Sequence, residues 1–305
     1  MKWATKQYTA LLKNHHFLTT HVSPFMTREK PDSVDRRVII DLSWPDGHAV
    51  NSFINPNVYL GTAFKLRYPT VDNITEYLAS LGKGARLFKI DLARAFRQLR
   101  VDPHDFNLLC LKWENDYFVD GYTPFGLTLG SMFCSRLSQF FRHLMWQRKY
   151  TIFCYIDDCV GCMPQGSVDE AFQYLLTLLS ELNFPISTSK LVSPTTECTC
   201  LGVVINTVKQ TISITAEKQK EIMITQTTVT KRSMQSLVGS LMFIHKCVKS
   251  SRYFTNRLLE VLRQSTNKFI TVSEGVSTGS LNFFPNSMDS ANMLKQPHVM
   301  HTQLL

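Results

Sequence analysis

Two hydrophobic runs, each delivering an acid, constrain this chain more than any other feature. Leu87-Phe-Lys-Ile-Asp91 reads as a buried strand that ends in a carboxylate. Thr151 to Ile156 reads as a second strand, with Asp157 and Asp158 at its end. Around them the pattern runs strand, helix, strand, helix, strand, an order that can set Asp91 and Asp157 on adjacent strands of one sheet.

Adjacent side chains of a strand point to opposite faces, so a tight turn is needed if Asp157 and Asp158 are to serve one site. Carboxylates held within a few ångströms of each other raise each other's pKa unless cations neutralise them. Mg²⁺ is the natural cation, because it is hard and takes one or two carboxylates together with substrate phosphates. Two such ions, roughly 3.5–4 Å apart, stabilise the attacking and leaving oxygens of an in-line displacement at phosphorus. Attack of a primer 3′-hydroxyl on a nucleotide α-phosphate is a reaction of that type. An isolated Asp-Asp is more often a solvated turn; the hydrophobic strands leading into Asp91 and Asp157 raise this pair above that reading.

Helical periodicity runs from Phe125 to Lys149, with Phe133, Leu137, Phe140 or Phe141, and Leu144 on one face. Arg37 to Leu42 reads as a strand, and Thr70 can cap a short helix ending near Ser80 before a turn at Gly82-Lys-Gly84. Ser167 and Glu170 form a capping-box signature. The helix it opens carries Phe172, Leu175, Leu176, Leu179 and Leu182, and stops at Asn183 and Pro185. Cys200 to Ile205 and Thr211 to Thr215 read as a hairpin pair. Two further helices follow, one with Leu237, Leu241, Ile244 and Val248, the other with Phe254, Leu258 and Leu262. Beyond Gln264 the pattern dissolves into Ser, Thr, Asn and Gly, and that tail is expected to be poorly ordered or truncated.

Charge adds a partner class. The chain carries 33 Lys and Arg against 24 Asp and Glu, a net +9. Between Asn206 and Arg263 ten basic residues face only Glu217, Glu221 and Glu260, so this stretch holds +7 of that excess. A solvated helical surface explains such a run when it stands alone. Next to an acidic catalytic site, a nucleic-acid clamp becomes the stronger reading. No stretch is long and apolar enough to span a bilayer, and the polar N-terminus has no signal-peptide core. Eight cysteines without a secretory signal point to free thiols in a reducing, intracellular compartment. Cys159-Val-Gly-Cys162 invites a zinc reading, but Cys198 and Cys200 have the wrong spacing to complete it, and buried strand thiols are favoured. Trp44, Trp113 and Trp146 are expected in core or hinge positions, and His15, His16 and His21 at the surface.

At this point the chain resembles a reverse transcriptase, over roughly Pro24 to Leu262. Lys89-Ile-Asp91-Leu-Ala-Arg-Ala-Phe96-Arg-Gln resembles the first catalytic motif. Thr123-Pro-Phe125-Gly126-Leu resembles the second, in the form seen in Gypsy-type retroelements, and Tyr155-Ile-Asp157-Asp158 resembles the third. Asn183 to Lys190 and Cys200-Leu-Gly202-Val-Val-Ile resemble the fourth and fifth. Within the family, Ser23-Pro-Phe-Met-Thr-Arg-Glu-Lys30-Pro-Asp, Arg36-Arg37-Val-Ile-Ile-Asp41-Leu-Ser-Trp-Pro and Ser236-Leu-Val-Gly239-Ser-Leu resemble DIRS-type retrotransposons, which use a tyrosine recombinase.

The resemblance implies an α+β right-hand polymerase: fingers at 1–86, a palm with an antiparallel sheet at 87–205 with a fingers insertion near 101–123, a basic thumb at 206–265, and a tail at 266–305. It implies RNA-directed DNA polymerisation by two Mg²⁺ ions, with Mn²⁺ as the other candidate. The partners are an RNA or DNA template, a DNA primer and deoxynucleoside triphosphates, in cytoplasm or nucleus. Asp91, Asp157 and Asp158 would bind the metals, and the backbone carbonyl of Leu92 would complete one shell. Phe96 would exclude a ribose 2′-hydroxyl, although a core aromatic is the competing reading. Lys30 and Arg37 would hold the triphosphate, the arginine by forked hydrogen bonds. Phe125 and Gly126 would pack around nucleotide and template, and Leu201 and Gly202 would help position the primer terminus. Lys190 would give a proton to pyrophosphate, a surface lysine being the alternative.

Only Glu274 and Asp289 are acidic beyond Gln264, too few for a ribonuclease H site, and no protease or integrase pattern is visible. The chain is therefore expected to be a piece or decayed copy of a longer polyprotein. Two rival readings remain at this stage. One is an inactive nucleic-acid-binding relic; the other is a viral RNA-copying polymerase, which Phe96 and the Tyr-Ile-Asp-Asp form weigh against.

Overall fold

The computed structural model describes residues 20–29, 36–218, 228–244, 247, 251–264 and 269–271. The chain divides into two compact units that alternate along the sequence. One comprises Met1–Tyr68, Ile90–Cys159 and Gln173–Leu191; the other comprises Pro69–Lys89, Val160–Phe172 and Val192–Leu305.

In the first unit β1 (Phe25–Glu29) and β2 (Arg36–Ile40) pair antiparallel, from Phe25 opposite Ile40 to Glu29 opposite Arg36. The short β3 (Val58–Tyr59) and β4 (Thr62–Ala63) form a hairpin. After β5 (Arg86–Asp91), β6 (Cys110–Trp113) and β7 (Asp116–Val119) form another hairpin, turning at Glu114 with φ 54°. Ile40, Leu42, Leu109 and Leu111 make a buried cluster, flanked by Phe25, Val38 and Leu127. Burial of such apolar surface is the main force holding these hairpins together.

In the second unit α1 (Val71–Leu81) starts at a reciprocal capping box between Thr70 and Asn73, and buries Val71, Ile74, Thr75 and Leu78 at helical spacing.

The long helix of the first unit, α2 (Gly130–Gln147), begins later than its periodicity suggests. Gly126 takes φ 104°, so Phe125 to Leu129 form a turn rather than helix. Its buried stripe also differs from the predicted one. Cys134, Ser138, Phe141 and Met145 are buried, whereas Phe140 is 47% exposed. Small side chains allow close approach on that face, and the Ser138 hydroxyl satisfies itself on the carbonyls of Cys134 and Ser135. The tryptophans are likewise not core residues: Trp44 and Trp146 are 60% and 64% exposed, and Trp113 is 37% exposed.

The sheet that carries the acids is built from β5, β8 (Ile152–Tyr155), β9 (Asp158–Met163) and β10 (Val192–Thr195), in the order β10-β5-β9-β8. Helix α3 (Val168–Glu181) ends before Leu182, which is 41% exposed rather than part of the buried stripe.

Cys200 to Ile205 is not one strand. β11 (Glu197–Cys200) turns at Leu201 and Gly202 into β12 (Val203–Asn206), which pairs with β13 (Thr211–Ile214). Leu201 and Gly202 both take positive φ, 46° and 77°, which is what a two-residue hairpin turn requires. Helices α4 (Lys231–Ile244) and α5 (Ser251–Gln264) pack together. β14 (Thr228–Thr230) pairs with β15 (Phe269–Thr271), so part of the segment after Gln264 is strand. His15, His16 and Val248 lie outside the described residues.

Candidate active site

Strand β5 reaches the site because Leu87, Phe88 and Ile90 are completely buried, leaving Asp91 as the polar end of an apolar strand, itself 5% exposed. The main chain stitches that end on two sides. The Leu92 N–H donates to the Asp157 carbonyl at 3.0 Å. On the other side Ser187 N–H donates to the Asp91 carbonyl and Ala93 N–H to the Pro185 carbonyl, both at 2.8 Å. Both bonds of that second bridge run through Asp91 and Ala93 and leave the Leu92 carbonyl out.

A 3-10 turn at Thr188–Lys190 then folds Lys190 back, and its Nζ donates to Asp91 Oδ2 at 2.7 Å. The Asp91 hydrogen bond raises the Lys190 pKa, helped by the charges of Asp91, Asp157 and Asp158 and opposed by partial burial. The fields of all three acids therefore converge on one ammonium. Between the strands, Ile156 takes φ 54°, giving the tight turn that Asp157 and Asp158 need.

The cysteines of both units are buried thiols. Burial, with the Asp157 charge adding to it, pushes the Cys134 thiol up to about 12. Cys154 and Cys159 are buried with their Sγ atoms 3.4 Å apart, and the hydrogen bond from Cys154, with burial, raises Cys159 well above the usual thiol range. Cys162 is raised by burial and by Cys200 and Cys198. All eight cysteines are free and buried.

Phe96 and Phe125 pack together with ring centroids 4.9 Å apart. Gly126 lies so close to β2 that a Cβ there would sit 2.7 Å from the Ile40 carbonyl oxygen. Asn51, which no local sequence pattern singles out, clamps this turn. Its amide donates to the Gly126 carbonyl at 2.8 Å, and its Oδ1 accepts from Thr128 N–H at 2.9 Å. Arg97 and Asp120, 23 residues apart, form an ion pair in which the Asp120 side chain is fully buried. Arg37 is exposed on β2, opposite Arg28. Leu201 and Gly202 belong to the second unit, and Lys30 lies outside the described residues.

The profile of the reverse transcriptase (RNA-dependent DNA polymerase) family matches residues 28–205, more than half of the chain. The chain belongs to the reverse transcriptase family. Solved structures of foamy viral protease-reverse transcriptase share the fold of this reverse transcriptase. The dRH form in complex with double-stranded DNA has a TM-score of 0.70 at 17% identity, covering 87% of this chain and 43% of that one. The complex with an RNA/DNA hybrid gives 0.62 at 16%, with 87% and 33% covered. A further double-stranded DNA complex gives 0.67 at 16%, with 87% and 51% covered. The chain thus spans about a third to a half of the length of those proteins. At such identity the likeness is one of fold, α+β of the right-hand polymerase class. No curated protein sequence matches the chain. Among the described residues no helix is long and apolar enough to cross a membrane.

The site of this reverse transcriptase has the chemistry that a divalent ion calls for. Asp91, Asp157 and Asp158 offer only hard oxygen donors, and a cation, the Lys190 ammonium, already answers Asp91. Among the described residues no three His, Cys, Asp or Glu side chains are gathered tightly enough to hold a metal as they stand. The residues would suit such an ion by donor type alone.

Proposed function

We propose that this chain is an RNA-directed DNA polymerase from a retrotransposon, of the DIRS type, which adds deoxynucleotides to a primer 3′-hydroxyl. The observation that carries the reading is the main-chain link from Leu92 to Asp157, together with the Lys190–Asp91 contact, inside one compact unit. The DIRS assignment is supported by the motif at Ser23–Asp32 and those at Arg36–Pro45 and Ser236–Leu241.

In this reading Asp91, Asp157 and Asp158, with the Leu92 carbonyl, would hold two Mg²⁺ ions, for which Mn²⁺ could substitute. When bound, these ions offset the charge that develops on the attacking and leaving oxygens. Lys190, whose ammonium is held at Asp91, gives its proton to the departing pyrophosphate. Arg37 and Lys30 neutralise the triphosphate, Phe96 closes the space a ribose 2′-hydroxyl would need, and Phe125 and Gly126 line the nucleotide. Leu201 and Gly202 carry the turn that steadies the primer end. The surplus of basic residues after Asn206 supplies phosphate contacts to a template-primer duplex.

The test is primer extension on an RNA template with and without Mg²⁺. The wild type extends only with the ion, and Asp157→Ala abolishes extension while its far-UV circular dichroism stays unchanged. Undiminished extension by Asp157→Ala removes the metal assignment. Salt-sensitive duplex binding by the wild type without any incorporation replaces the enzyme by an inactive relic.

A further inference from the structure

Gly130 opens α2 at a point where the helix meets the Phe96 ring. A Cβ built there would stand 3.0 Å from Phe96 Cε1 and 3.3 Å from Cδ1, with Thr123 Cγ2 at 3.5 Å. The two ring distances are inside ordinary contact, so any side chain at 130 must displace the ring. We infer that Gly130 is a positioning residue for nucleotide selection: its missing side chain sets where the Phe96 ring stands. The inference rests on the reading of Phe96 as the wall beside the sugar.

The ring has little freedom to give way. It is also packed against Phe125, at 4.9 Å between centroids. Its backbone is pinned as well. Arg97, the next residue, is paired with the buried Asp120 carboxylate, whose Oδ1 also accepts from Tyr122 N–H at 3.2 Å. Two residues further, the Leu99 carbonyl accepts from Thr123 N–H at 2.9 Å. Because the segment from 96 to 99 is held at both the charge pair and this bond, a methyl at 130 displaces the ring rather than the loop. That shifts the wall beside the sugar, and a deoxynucleotide then binds less well while the acids that do the chemistry stay in place.

Steady-state incorporation of dTTP and UTP by four proteins tests this: wild type, Gly130→Ala, Phe96→Val and the double variant. Gly130→Ala is expected to raise KM for dTTP about tenfold with kcat within about twofold, since overpacking by one methyl is worth roughly that factor. Phe96→Val is expected to admit UTP. In the Phe96→Val background the methyl at 130 meets only Thr123 Cγ2, at an ordinary contact distance of 3.5 Å, so Gly130→Ala there changes KM by less than about twofold. Equal effects of Gly130→Ala in both backgrounds, or none in either, overturn the inference. Failure of Phe96→Val to admit UTP overturns the sugar-wall reading instead, and the two failures are read from different rows of the same cycle. Should Gly130→Ala alone not fold, recovery of the fold in the double variant, seen by thermal melting, carries the contact; no recovery sinks it.

Discussion

Asp120 should be among the most sensitive positions for stability, because it is a buried charge answered by another partly buried charge. Its side chain is fully buried and that of Arg97 is 14% exposed. Burial pushes the Asp120 pKa above its ordinary 3.8, although the Arg97 hydrogen bond and charge, and then Tyr122 N–H, pull it down. Desolvation therefore costs the ionised carboxylate more than its partners return. Removing one member of such a pair leaves the other buried charge without its counter-charge, at a cost of about 3–5 kcal/mol. Arg97→Met, which leaves the fully buried Asp120 carboxylate unanswered, should accordingly unfold about 6–20 °C below wild type, at roughly 2–4 °C per kcal/mol for a chain of this class, and Asp120→Asn should cost less. Replacing both residues, as in Arg97→Met with Asp120→Leu, removes the desolvation load together with the attraction, and should cost less than Arg97→Met alone. Urea denaturation at pH 7 of the wild type, both single variants and the double variant gives the coupling directly, provided the m-value is constant. The pH dependence has a definite sign. A carboxyl whose folded pKa is raised binds its proton more tightly in the native state. Its contribution to stability is present below 3.8 and lost as pH rises through the folded value, a slope that Asp120→Asn should lack. An Arg97→Met cost below about 1 kcal/mol, the range of exposed ion pairs, would refute the reasoning.

Gly161→Ala should destabilise the second unit, because its Cβ would lie 2.1 Å from Phe88 Cζ, and Phe88 is fully buried against Phe172 at 5.3 Å. A loss of about 1–3 kcal/mol by thermal melting is expected, largely restored by Phe88→Leu; no loss in the single variant contradicts the packing. The thiols should be silent toward a disulfide reagent in the native protein at pH 8, since all eight are buried and burial lifts Cys110 to about 11. Eight should titrate after denaturation, and prompt reaction of any one before it counts against the burial.

Much of this was legible because it is local. Thr70 announces α1 as a cap residue, and the apolar run into Asp91 announces β5. α2 departs from its pattern at its start and on its buried face, since apolar periodicity continues through Phe125 while the backbone at Gly126 does not. Counting large apolar residues also passes over Cys134 and Ser138, which are buried because they are small. Leu201 and Gly202 hide a turn inside a run that alternates like a strand. Nothing local could reveal Asn51 reaching Gly126 or Arg97 reaching Asp120, because those partners are 75 and 23 residues away. Trp113 is partly exposed yet still meets Phe25 at 5.6 Å, so its ring is a surface packing group and not a core one.

The position of Asp91 depends on its main chain more than on its carboxylate. The Asp91 carbonyl, the Leu92 N–H and the Ala93 N–H each hold a neighbouring segment, and none of these bonds uses a side-chain atom. Pro185 takes part through its carbonyl alone, the one backbone hydrogen-bonding group a proline retains. The same holds for Asp157, whose carbonyl receives the Leu92 N–H. Truncating the Asp157 side chain leaves that stitch in place, and the side chain itself is only partly buried. Loss of primer extension in Asp157→Ala with its secondary structure intact therefore reports on chemistry. Asp91→Ala is the poorer test, because it also takes away the carboxylate that anchors Lys190.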